Sequence, residues 1–142
     1  MWHYALLPYL PNNQFRGQLR ELVAIMHDWK LKGSTNHLLI NRVMEYPQVE
    51  LTAYANLYDA EHYKRYSKHI NEKYIHEFID FAEGTCGNNP FIGWHNKEYL
   101  RVCMCNLYEK HEFGKGKSRI TDDEWQKLLD GYKKITGEDY VV

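Results

Sequence analysis

The spacing of apolar side chains constrains this chain most: it keeps a helical period almost throughout and never settles into alternation. Leu19, Leu22, Val23 and Met26 stand at i, i+3, i+4 and i+7. That is the stripe of an amphipathic helix, and it predicts one over about 13–31. Leu7-Pro8-Tyr9-Leu10-Pro11 sets a rigid opening before it. Asn12 or Asn13 is placed to cap its start, and Gly33 follows its end. Ser34, with Leu38, Leu39 and Val43, predicts a second helix over about 35–45. Pro47 sits where a first helical turn tolerates proline, opening a longer helix to about 67 with Val49, Leu51, Ala53, Tyr54, Leu57 and Tyr58 on its apolar side. Tyr74, Ile75, Phe78, Ile79 and Ala82 mark another over about 71–83, and Gly and Asn make 84–93 a loop. Tyr99, Leu100, Cys103, Leu107 and Tyr108 mark a helix over about 96–111. Thr121-Asp122-Asp123-Glu124 is a capping box with acidic first-turn residues, launching a last helix to about 135. No stretch alternates with period two for long enough to demand a sheet, and no internal repeat or low-complexity segment is present. The expectation is an all-α, compact single-domain helical bundle over 1–142.

Size and composition agree with a packed fold. The chain has 142 residues, 44% hydrophobic and 26% charged, one ordinary domain with enough apolar surface for a core. Twelve Tyr, five Phe and four Trp exceed what a core of this size uses, which puts some rings on the surface. No apolar run approaches the ~20 residues of a membrane span, so no membrane partner is expected. Met1-Trp2-His3-Tyr4 lacks the basic-then-apolar order of a signal peptide. Three cysteines are too few and odd in number for a disulfide scaffold, which fits a reducing cytoplasm.

The net charge of −1 hides a pattern. Residues 1–45 and 95–120 are mildly basic, with five against three and six against three charged side chains. Residues 46–94 and 121–142 are acidic, with four against seven and three against six. A polyanion partner is favoured only if the two basic blocks share a face.

Metal and nucleophile motifs are scarce. Cys103-Met104-Cys105 lies mid-helix, where i and i+2 point apart. His62, His69 and His76 are spaced by seven, but a helix break near 69–71 separates their faces. No metal site is expected. Gly114-Lys115-Gly116-Lys117 reads as a flexible basic turn: a solvated linker, or a phosphate-holding loop. The first helix is more pointed. Gln14, Gln18 and Glu21 share one face, with Arg16 and Arg20 beside it. Gly17 among them costs about 1 kcal/mol relative to alanine, as expected where another group approaches the backbone. The pattern alone fits an exposed polar stripe as well as a binding face.

Taken together, Trp2-His3, Leu7-Pro8-Tyr9-Leu10-Pro11, Gln14, Gly17-Gln18 and Arg20-Glu21 resemble the opening of the pyrimidine-dimer DNA glycosylase family, which has bacterial and phage members. The likeness continues at Ser34-Thr35, at Tyr46-Pro47 to Tyr54, at His95-Asn96-Lys97-Glu98-Tyr99 and at Cys103 to Lys110. It covers about residues 2–111. The pattern departs at Ala24, where the phage member carries an arginine, and in overall charge, since the phage member is distinctly basic.

The resemblance implies an all-α DNA repair glycosylase with AP-lyase activity, acting on damaged double-stranded DNA without metal or organic cofactor. The N-terminal amine, here that of Met1, attacks C1′ of the damaged nucleotide. A glutamate matching Glu21 is the catalytic carboxylate, and the arginine matching Arg20 holds phosphate. Gln14 and Gln18 fall on the nucleic-acid side of that helix. Arg16 and the basic run Lys115, Lys117 and Arg119 are expected to add phosphate contacts. A monomer is expected, in the cytoplasm, associated with a nucleoid or in a virus-infected cell. Elementary chemistry is consistent with this: α-amines titrate near 7.7–8.0, about 2.5 units below lysine, so an appreciable fraction is nucleophilic at neutral pH. The mechanism requires the proline-rich opening to fold Met1 back across the helix to Glu21. The alternative is a non-catalytic helical module that keeps the fold and binds nucleic acid or protein.

Overall fold

The two opening prolines do not hold the chain extended. In the computed structural model, which describes residues 1–32, 41–82 and 89–142, residues Tyr4–Tyr9 form a 3-10 helix with Pro8 inside it. His3 caps it: its side chain accepts the Ala5 N–H at 3.1 Å. Leu6 and Leu7 are buried along it, and the Leu10 N–H closes it on the Leu6 carbonyl. A short helix with an N-terminal acceptor and two buried leucines satisfies the backbone groups that an extended opening would leave to water.

The first α-helix, α1 (Asn12–Lys32), begins one residue earlier than its stripe predicts. The Pro11 carbonyl accepts the Phe15 N–H, so both asparagines lie inside the helix rather than capping it, and Asn13 spends its amide elsewhere. The buried face of α1 is Gln14, Phe15, Gln18, Leu22, Ile25 and Met26, rotated from the expected stripe so that Leu19 and Val23 are half-buried. The expected helix over 35–45, with its Ser34 cap, and Gly33 after α1 lie largely outside the described residues. Of that segment, Arg42–Glu45 is a 3-10 helix with Val43 buried.

Pro47 stands at the N-cap of α2 (Gln48–Tyr66) rather than in its first turn. That helix buries Leu51, Thr52, Tyr54, Ala55 and Tyr58 and stops at Ser67, which takes a left-handed conformation. Asn71 caps α3 (Glu72–Phe81) by accepting the Lys73 N–H. Asn96 caps α4 (Lys97–Phe113), whose buried residues are Leu100, Cys103, Met104 and Leu107. The capping box predicted for α5 (Asp122–Thr136) is present in both directions between Thr121 and Glu124. The fold is all-α, and no strand occurs among the described residues. No helix among them is long and apolar enough to cross a membrane.

Contacts divide the chain into two units, Met1 with Gln18–Ile92, and Trp2–Gly17 with Gly93–Val142. In the first, α2 packs on α3. His27 of α1 bonds Glu77 of α3 at 2.5 Å, which lowers the Glu77 carboxyl below its ordinary pKa, and Trp29 meets Phe81 edge-on. In the second, α5 packs on the opening 3-10 helix and on α4. Gly131 makes the first contact possible: a Cβ there would collide with the Tyr9 ring. Arg101 of α4 reaches the Tyr132 hydroxyl and the Val141 carbonyl.

Candidate active site

Met1, Gln18, Glu21 and Tyr54 make one polar network in the first unit. The Met1 α-amine lies 2.8 Å from Glu21 Oε1, so the terminus does fold back across α1. The Met1 side chain is 1% exposed and that of Glu21 33%, so the thioether is tucked inside while the carboxylate stays open to solution. The same Oε1 accepts the Gln18 side-chain N–H at 3.1 Å. Gln18 in turn accepts on its Oε1 from the Tyr54 hydroxyl of α2, at 3.2 Å. Helical geometry accounts for the first link, since Gln18 and Glu21 are i, i+3 neighbours. Burial accounts for the second: an amide inside a core must find partners for both ends.

Tyr54 sits against the Phe91 ring, centroids 6.1 Å apart. Phe91 has φ +62°, which bulky side chains adopt only when their surroundings insist. Here its N–H donates to Glu50 Oε1 at 3.1 Å. Its ring meets Tyr46 edge-on, and the Tyr46 hydroxyl donates to the Ile92 carbonyl.

Gln14 and Gln18, expected on the nucleic-acid side of α1, are buried instead, 8% and 2% exposed. Gln18 pairs both ends of its amide in the interior, whereas Gln14 pairs its nitrogen and its buried Oε1 has no hydrogen-bond partner among the described residues. Gln14 donates to the Ser118 carbonyl at 3.1 Å, and Asn13 donates to the Lys117 carbonyl at 2.8 Å. These bonds hold the segment expected to be a flexible turn; it carries a 3-10 turn over Gly116–Ser118. Lys115, Lys117 and Arg119 are exposed on it, and Arg16 and Arg20 are exposed on α1.

A ring cluster in the second unit surrounds the residue that caps the opening helix. His3, Tyr4, His95 and Tyr99 lie within 4.8 to 6.3 Å of His3 or of one another. The Tyr4 N–H donates to His95 Nδ1 at 3.1 Å. Since His3 and His95 each accept on Nδ1, their ring protons belong on Nε2. Burial pushes the His3 pKa from 6.5 down to about 4, against the opposing pull of backbone hydrogen bonds with His95 and Asn96.

Among the described residues no group of three or more His, Cys, Asp or Glu side chains is arranged to hold a metal ion. Tyr54, expected only as part of an apolar stripe, joins the polar network through its hydroxyl. The available signal was its hydroxyl, since a buried tyrosine needs a hydrogen-bond partner where phenylalanine needs none.

The sequence pattern of pyrimidine dimer DNA glycosylases matches residues 1–74. The chain belongs to that family. The matched part of this pyrimidine dimer DNA glycosylase family member contains Met1, Gln18, Glu21 and Tyr54, and ends before Phe91 and the basic segment at 115–119. No curated protein and no solved structure matches the chain.

Proposed function

We propose that this chain excises a damaged pyrimidine, a pyrimidine dimer being the class the family name implies, from double-stranded DNA and then nicks the strand by AP-lyase chemistry. The observation that carries the reading is the 2.8 Å pairing of the Met1 amine with Glu21. To attack, the amine sheds one proton, and Glu21 is within hydrogen-bond reach to accept it. The nitrogen lone pair forms a bond to C1′, the bond from C1′ to the base breaks, and the base departs with that electron pair. The bound nitrogen gives a second proton to solvent, and its lone pair opens the ring to the Schiff base as O4′ takes the proton that Glu21 accepted from the amine. Glu21, a carboxylate again, then takes a C2′ proton; that C–H pair forms the C2′–C3′ double bond, and the C3′–O bond breaks to release the 3′ phosphate and cut the strand. Glu21 also stabilises the cationic sugar as charge develops. Arg20 and Arg16, with Lys115, Lys117 and Arg119, are assigned to phosphate.

The test compares the chain starting at Met1 with one carrying two extra N-terminal residues, on abasic duplex and on ultraviolet-irradiated duplex. Extension keeps an amine but shifts it by up to ~3.3–3.6 Å per residue, whereas attack needs about 3–3.5 Å. Nicking by the native start alone, with a borohydride-reduced adduct on Met1 in the mass spectrum, is the expected result. Equal nicking by both refutes the terminal amine. Binding without nicking by either identifies a non-catalytic module.

A further inference from the structure

We infer that Tyr54 is a positioning residue for Glu21, acting through the side-chain amide of Gln18. The inference rests on the proposed role of Glu21 as the carboxylate that moves protons. A glutamine amide has two orientations that exchange its oxygen and nitrogen, and only one offers a donor to a carboxylate. The Tyr54 hydroxyl, 3.2 Å from Gln18 Oε1, donates to that oxygen and so turns the amide nitrogen toward Glu21, 3.1 Å away. Glu21 Oε1 then receives Gln18 on one side and the Met1 amine on the other.

Two features make this more than packing. Tyr54 is fully buried and Gln18 is 2% exposed, so water does not supply the interaction if the hydroxyl is removed. A leucine and a phenylalanine in those places would pack without any polar cost. Tyr54 is also held from behind by Phe91, whose left-handed backbone is maintained by the Glu50 carboxylate. Strain of that kind persists where the surroundings over-determine it, and it gathers at functional sites. Groups that orient a reacting side chain need such support, because small displacements at the reacting atoms cost rate.

The experiment is a double-mutant cycle on the full chain with its native start. Tyr54→Phe removes one oxygen and keeps the ring. It is expected to slow single-turnover cleavage of abasic duplex about tenfold, the scale of one hydrogen bond to a charged group. Affinity for a non-cleavable abasic analogue stays unchanged. In a Gln18→Met background the same substitution is expected to change the rate less than about twofold, because the intermediary is gone. An equal loss in both backgrounds, or no loss in the first, overturns the inference. If the native chain fails to cleave, the catalytic reading fails, and solvent exchange of the Gln18 side-chain protons decides the positioning separately. Slow exchange that becomes at least tenfold faster in Tyr54→Phe supports it, and unchanged exchange overturns it.

Discussion

Met1 and Glu21 are twenty positions apart in sequence and 2.8 Å apart at their charged atoms. The chain between them turns through the 3-10 helix Tyr4–Tyr9 before α1 begins. A long side chain on α1 and the first residue of the chain thereby meet without a dedicated loop. The carboxylate stays partly open to solution, as its proposed role beside a sugar requires.

Replacing Glu21 by Gln keeps the size of the side chain and removes its basicity. Folding and DNA binding are expected to survive, while strand scission falls by about 10²–10⁴. Circular dichroism and an electrophoretic shift check the first two, and nicking of abasic duplex checks the third. Near-native cleavage by a folded variant would remove Glu21 from the mechanism.

Arg20 neighbours Glu21 on α1 and is exposed. Arg20→Ala is expected to weaken binding on every sequence alike and to lower the slope of log affinity against log salt by about one. Titrations at several salt concentrations measure it. An unchanged slope shows that Arg20 contacts no phosphate.

His3 gives the fold a pH dependence of predictable sign. Its folded pKa, about 4, lies below the unbound 6.5, so protonation favours the unfolded chain. Its stabilising contribution is whole above about pH 6.5 and is lost as pH falls toward 4, a total of roughly 3 kcal/mol. Urea midpoints between pH 7 and pH 4 are expected to fall more steeply for the native chain than for His3→Asn, which keeps an N-cap acceptor but does not titrate. Identical pH dependence in the two proteins would contradict the assignment.

Gly131 is the position where α5 admits the Tyr9 ring. Gly131→Ala gains helix propensity but forces a methyl group into that ring. Overpacking of this kind costs about 1–3 kcal/mol, more than the propensity gain of about 1 kcal/mol. A lower melting temperature is expected, and an unchanged or raised one shows that the ring moves aside without cost.

Helices were legible in the sequence where a cap and a stripe coincide. Thr121 with Glu124 marks a start that the structure keeps, and the stripes near 71–83 and 96–111 are helices whose caps, Asn71 and Asn96, the stripes themselves did not name. The opening was not legible, because proline signals a rigid segment without telling whether it extends or coils, and the cap comes from a histidine. Arg20-Glu21 pointed to α1, but the pattern could not tell that Gln18 faces inward. Glutamine counts as polar in any periodicity, and only the three-dimensional placement of Tyr54 provides its second partner. Gly131, mid-helix like Gly17, is where a Cβ would collide with the Tyr9 ring, and no periodicity in the sequence singles it out. Which helix face meets an aromatic ring depends on packing between segments more than a hundred residues apart.

Asn13 and Gln14 hold the 115–119 segment by the main-chain oxygens of Lys117 and Ser118. Every residue type has such an oxygen, so this attachment is blind to what the segment displays. Evolution, or a designer, is therefore at liberty to rewrite the charges at 115, 117 and 119 while the anchor itself stays the same. Under the proposed phosphate role of these side chains, affinity for a polyanion becomes a dial that turns separately from folding.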